Sequence, residues 1–204
     1  MIEWVSFALV GIFAGISAGL LGLGGGLVSV SALLYVFKFY GMPETHLMYI
    51  AVSTSLMAIV VPSFSSLLAH HRWKNVDWQL MKRLSIGLIV GGFLGAYFAT
   101  LMSSQLLQRF FAVYAFLMSI RLWGSMPILE TSTRLLKQPY LFVSSVTFGG
   151  VSALVGMGGG TMVIPYLLLA GQKIQRAIGT SAACAFPIAV LGCWVLLLWG
   201  NNIK

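Results

Sequence analysis

The chain has 204 residues, of which 8% are charged and 59% hydrophobic, and its formal net charge is +8. A soluble domain of this size must cover a large outside with polar groups, and an average one is about 25% charged, so composition excludes an ordinary water-soluble fold. The basic residues sit at the ends of apolar runs with no basic stripe, which excludes a nucleic-acid-binding footprint and points to anchoring beside a bilayer.

In chain order, charge-free apolar stretches of transmembrane length fall at residues 4–37, 47–69, 84–107, 139–172 and 177–202. A shorter stretch, 110–120, is bracketed by Arg109 and Arg121, whose long side chains let it reach across as a sixth segment. The start, Met1-Ile2-Glu3, lacks a basic n-region, and the run behind it is too long for a signal-peptide core, so it is expected to remain as a membrane helix. The predicted fold is therefore all-α, a polytopic transmembrane helical bundle whose principal partner is the lipid bilayer.

Two segments are too long for a single straight crossing. Residues 4–37 and 139–172 each number 34, which would extend about 51 Å as helix against a hydrocarbon core of about 30 Å. Each has a glycine cluster near its middle, so both are expected to be broken or partly re-entrant. The clusters belong to an internal repeat. GISAGLLGLGGG (15–26) matches GGVSALVGMGGG (149–160) at an offset of 134, with six of twelve positions identical. Further on, the stretch from Ala51 to Ser55 matches that from Ala177 to Ser181 at an offset of 126, and Pro62 and Pro187 follow. The change of eight in the offset is assigned to a longer connection at 38–46.

The predicted organisation is a first four-helix repeat over 1–124, a cytoplasmic connection at 125–138, and a second repeat at 139–204 holding two helices. With single crossings, Arg72, Lys74, Lys82, Arg83, Arg121, Arg134, Lys137 and Lys204 share one side, against Lys38, Arg109, Lys173 and Arg176 on the other. The excess places loop 70–83 and both termini in the cytoplasm of a cell with this protein in its inner or plasma membrane. If the long segments return to the side they entered, the loop stays inside and the N-terminus moves out.

The candidate substrate-binding residues are the duplicated ones: Gly22, Gly24, Gly25 and Gly26 with Gly156, Gly158, Gly159 and Gly160, then Ser53, Thr54 and Ser55 with Thr180 and Ser181. Glycine lets a helix open and bare its amides, and the first amides of the next half-helix suit an anion. Such backbone is tolerated at membrane depth only inside protein or along a cavity. The competing role is close helix packing, for which membrane helices also use glycine. Hydroxyls can donate to an oxyanion without adding charge, or simply bond back to their own helix.

No Asp, Glu, Lys or Arg lies in the central part of the five long runs, where proton pumps, cation sites and membrane hydrolases keep their ionisable groups. Backbone dipoles and hydroxyls remain, and they favour an anion or a neutral solute over catalysis. His70 and His71, beside Arg72, have no further ligands spaced for a metal and are placed at the interface. Cys184 and Cys193 are too far apart for a C-x-x-C site, and no metal or other cofactor is expected.

The two G-x-x-x-x-x-x-G-x-G-G-G stretches, the Thr54-Ser55 and Thr180-Ser181 steps and Pro165 resemble the sulfite exporter TauE/SafE family of membrane transporters. The first copy departs from that pattern with Ser31 where the second has Pro165. The resemblance spans essentially the whole chain. It implies a helical bundle with two homologous halves that moves sulfite, sulfonates, sulfoacetate or another small organic anion by secondary transport. Family members typically complete both four-helix halves, and this chain is expected to lack the last two helices of the second. A different class of function, a truncated non-transporting protein or an assembly subunit, stays open on that ground.

Overall fold

The computed structural model describes residues 8, 11–12, 15–16, 25–123 and 136–200. Among the described residues, seven helices follow one another: α1 (Gly26–Phe39), α2 (Glu44–Arg72), α3 (Trp78–Leu101), α4 (Ser104–Trp123), α5 (Tyr140–Val155), α6 (Gly160–Leu169) and α7 (Ile174–Gly200). Three of them, α2, α3 and α7, are long and apolar enough to cross a membrane. The stretch expected at 110–120 is the middle of the 20-residue α4.

Local signals set the helix ends. Asp77 caps α3, its carboxylate accepting from the Leu80 N–H at 3.0 Å. Helix α1 ends when Gly41 turns left-handed (φ +74) and the amides of Gly41 and Met42 donate back to Lys38 and Phe37. Helix α6 ends the same way at Gly171 (φ +85), with Gly171 and Gln172 donating to Leu168 and Leu167. This arrangement satisfies two of the carbonyls that every helix end leaves over.

The connections after α1 and α6 therefore have one build and one length, residues 40–43 and 170–173. That corrects the expectation that a longer connection absorbs the change in offset. The extra residues lie in the helices: α1 has 14 residues against 10 in α6, and α2 begins seven residues before Ala51 where α7 begins three before Ala177. Four residues are about one helical turn, so the hairpin lengthens without changing which faces point inward.

Contacts fix the helix directions. Along α3, Gly87, Gly91 and Gly95 meet Ser145, Val146 and Gly150 of α5 in that order, so α3 and α5 run parallel. Helices α2 and α7 run antiparallel: Asn75 just past α2 meets Gly179, Ile59 lies near Gly158 beside Ala185, and Leu56 meets Gly192. The Asp77 N–H donates to Thr180 Oγ1 at 3.1 Å, tying the first turns of α7 to the start of α3 just past α2. Helix α6 folds back along α5, with Gly159 near Ser152 and the Phe148 and Tyr166 rings 5.3 Å apart.

Residues 139–172 thus enter from the side of the 73–77 loop, break, and return to it. Of the two courses open to this segment it takes the return rather than the single crossing, and the physical reason is the pair of left-handed glycines, Gly156 (φ +77) and Gly159 (φ +78), which reverse the helix. The re-entrant hairpin moves Lys173 and Arg176 to the side of Arg72, Lys74, Lys82, Arg83, Arg121 and Lys137, leaving Lys38 and Arg109 opposite among the described residues. Both chain ends lie outside the described residues.

Candidate functional site

The helix starts that follow the two glycine clusters are built alike. Gly25 (φ +71, ψ −19) precedes α1 and Gly159 (φ +78, ψ −12) precedes α6, and neither helix start has a side-chain cap. A residue with a Cβ resists this left-handed geometry by about 1–2 kcal/mol, so glycine is needed there. The first amides of α1 and α6 are left without a side-chain acceptor, and each helix start carries partial positive charge.

The second break is held from several directions. Ser55 on α2 donates to the Gly156 carbonyl at 3.0 Å, and Ser152 donates to the Met157 carbonyl. The Tyr114 hydroxyl of α4 shares a hydrogen bond of 2.9 Å with Thr161 in the first turn of α6. All four of these anchors are buried. Unpaired backbone at this depth would be costly, and these bonds make the opened loop a fixed feature.

Beside the breaks lies a cavity of about 560 Å³. Its lining recurs at helical spacing on every element. Gly25 at the N-cap of α1 and Ser29 on that helix line it, as do Gly160 and Ile164 of α6. Helix α2 contributes Ala58, Ile59, Pro62, Ser63, Ser66 and His70, and α7 contributes Ile178, Ser181, Ala182 and Ala185. Gly158, in the broken loop, and Gly11 and Gly15 complete the lining. From Ala58 to His70 the cavity follows α2 for about 18 Å at helical rise. It therefore occupies the half of the bundle nearer the 73–77 loop. The other half is filled by apolar side chains, among them Val30, Leu33, Phe37, Met48, Val52 and Leu56.

Four of the sequence-predicted residues meet at the cavity: Gly25, Gly158, Gly160 and Ser181. Ser181 is 1% exposed and its hydroxyl has no hydrogen-bond partner among the described residues. A buried hydroxyl left unpaired costs on the order of 1–3 kcal/mol.

The other candidates are placed elsewhere. Gly26 packs against Gly156 and Met157, where an added Cβ would stand 2.6–2.7 Å from their atoms. Gly156 abuts Val30 and Val52, and Gly159 abuts Ile188. Ser53 bonds back to the Tyr49 carbonyl at 2.8 Å, and Thr54 is exposed. Ser55 and Thr180 are buried and already partnered, by Gly156 and Asp77. Gly22 and Gly24 lie outside the described residues.

Sequence reasoning missed Ser63, Ser66 and His70. The signal was present as a four-residue recurrence, Ala58, Pro62, Ser66 and His70, with Ser63 on the adjoining row. Without the cavity it does not stand out from lipid-facing sequence.

The chain matches the sulfite exporter TauE/SafE family over residues 7–203. It is 31% identical to the "Probable membrane transporter protein" of Haemophilus influenzae, an alignment covering 96% of this chain and 75% of that one. It is 29% identical to the "Probable membrane transporter protein MJ0441" of Methanocaldococcus jannaschii, covering 95% and 72% of the two chains. With the "Probable membrane transporter protein YunE" of Bacillus subtilis it shares 27% identity, covering 82% and 68%. No solved structure is significantly similar to the chain. With its membrane-crossing apolar helices and a match over nearly its whole length, the chain belongs to the sulfite exporter TauE/SafE family of membrane transporters.

Proposed function

We propose that this chain carries small anions across the membrane by secondary transport, and that the cavity beside the glycine breaks is its binding site. The substrate class is sulfite, a sulfonate such as sulfoacetate, or another organic anion. One observation carries the proposal: the buried Ser181 hydroxyl, without a partner among the described residues, lines the same cavity as the uncapped starts of two helices. Amide dipoles and a hydroxyl attract negative charge without a fixed cation to hold it, as a carrier that must release its load requires.

The asymmetry of the bundle supports alternating access. One half holds the cavity and the other is closed by packed apolar side chains, the form a carrier takes when loaded from one side only. The matched left-handed glycines at 25 and 159 and the matched turns at 40–43 and 170–173 support two homologous repeats. The antiparallel course of α2 and α7 makes those repeats inverted, an arrangement that suits rocking about a midplane site. The preponderance of Lys and Arg around the 73–77 loop supports a cytoplasmic position for that end, and for the cavity with it.

The test is anion flux in liposomes reconstituted with the purified chain. Wild type is expected to move labelled sulfite or sulfoacetate down an imposed gradient, and Gly25→Leu to insert normally with flux lost. Unchanged flux in Gly25→Leu removes the glycine break from the mechanism. Absence of flux in wild type for every anion offered, with an active family member in parallel, favours a non-transporting or assembly role.

A further inference from the structure

We propose that Tyr114 is a positioning residue of the anion site, its hydroxyl holding the first turn of α6 so that the amides of that helix start stay aimed at the cavity. The inference rests on the transport reading above and adds to it a residue that acts without touching the solute.

Tyr114 lies in the middle of α4, buried, and is not among the residues that line the cavity. Its hydroxyl meets Thr161 Oγ1 at 2.9 Å. Thr161 is the second residue of α6 and follows Gly160, which does line the cavity. The amides of Met162 and Val163 both turn back to the Gly159 carbonyl, at 3.2 and 3.0 Å. Those of Gly160 and Thr161 come before them, at the open end of the helix where an anion is received. The Tyr114 bond therefore fixes a residue that carries one of those two donors.

The hydrogen bonds have a direction. Thr161 Oγ1 donates to Met157 Sδ at 3.9 Å, and a thioether can only accept. That uses the one hydroxyl proton of Thr161, so Tyr114 is the donor to Thr161. All three side chains are buried. Met157 in turn packs against Gly26, the first residue of α1. A buried chain of contacts thus runs from α4 through the start of α6 to the start of α1. Helix α4 is itself anchored at its first residue, where Ser104 Oγ accepts from the Met48 N–H at 3.2 Å. At the matching offset of 134 the first break has Leu27, which packs among apolar side chains. The polar tie therefore belongs to the second break.

Donors already held in place bind an anion more tightly than donors that must first be ordered. The test is the concentration dependence of sulfoacetate flux in liposomes, normalised to inserted protein. Tyr114→Phe keeps the ring and loses the tie. It is expected to raise the half-saturating concentration about three- to tenfold, as one lost hydrogen bond does, with the maximal rate within about twofold of wild type. Thr161→Val is expected to match it, and the double variant to be no worse than either alone, because all three lack the same bond. Thr161→Ser keeps the hydroxyl and is expected to keep the wild-type value. A merely structural role lowers inserted protein or maximal rate and leaves half-saturation alone, and that result overturns the positioning role. Wild-type half-saturation in Tyr114→Phe, or effects that multiply in the double variant, overturn it as well. Should Tyr114→Phe fail to insert, Thr161→Val against Thr161→Ser makes the same comparison. Each of these failures leaves anion transport standing. Absence of wild-type flux for both sulfoacetate and sulfite overturns both.

Discussion

Glycine does different work in two regions of this molecule. Along the α3–α5 seam, Gly87, Gly91, Gly95 and Gly149 all have helical backbone, and what matters is the missing side chain: a Cβ on any of them would collide with the helix opposite. At the breaks, Gly25, Gly156 and Gly159 have positive φ, and what matters is the backbone angle. The seam joins two parallel helices into a unit whose close approach substitutes for the hydrophobic drive that lipid removes. The breaks open helices beside a cavity. The two uses look the same in sequence and respond to substitution for different reasons, steric overlap at the seam and backbone angle at the breaks.

The largest expected effect is at the seam. Gly91→Leu places a branched side chain against the Val146 carbonyl, and the overpacking is expected to cost about 3 kcal/mol or more. Recovery of monodisperse protein in detergent should collapse. A wild-type melting curve for this variant would show that α3 and α5 can separate without loss.

At the breaks the contrast sharpens. Gly25→Ala keeps a small side chain but must hold the left-handed angle (φ +71), so about 1–2 kcal/mol of stability is lost. The protein should still purify as wild type does, with reduced anion flux. Full flux would mean that the angle at Gly25 is not needed for transport.

Adjacent hydroxyls on α7 separate support from recognition. Ser181→Ala removes a hydroxyl with no partner among the described residues, so stability should hold or rise. Anion binding should weaken about tenfold through loss of one hydrogen bond to a charged group. Thr180→Val strips the acceptor from the Asp77 N–H and should lower stability by about 1 kcal/mol with flux unchanged. Melting temperature and binding isotherms on the two variants check both, and an exchange of the two outcomes would reverse the assignment.

The smallest effect lies outside the membrane region. Lys74 holds a left-handed angle (φ 55) at the position where α1 and α6 have glycine. Lys74→Gly should stabilise the protein by about 0.5–1 kcal/mol, and a thermal shift of the opposite sign would show that the lysine contributes more than its strain costs.

Membrane residence was legible in the sequence because lipid imposes a composition that needs no knowledge of tertiary contacts. The need for a break in the second long segment was legible too, since 34 apolar residues exceed the bilayer. The direction taken after the break was not. It depends on the left-handed angles at Gly156 and Gly159, which reverse the chain toward Thr180 and its partner at Asp77. The site divided in the same manner. Gly25, Gly158, Gly160 and Ser181 were found through duplication, whereas Ser66 and His70 have no duplicated counterpart to mark them and join the site only because α2 runs beside α7.

By itself, then, the sequence determined the solvent, the helical class, the places where helices must yield and the absence of charge at their centre, because each follows from the chemistry of consecutive residues. Tertiary structure alone decided which glycines pack and which open, which hydroxyl of Thr180 and Ser181 is already partnered, and which of two adjacent histidines meets the cavity. Those outcomes turn on what stands across from each residue, and residues as distant as Ser55 and Gly156 come within 3.0 Å only once the helices have assembled.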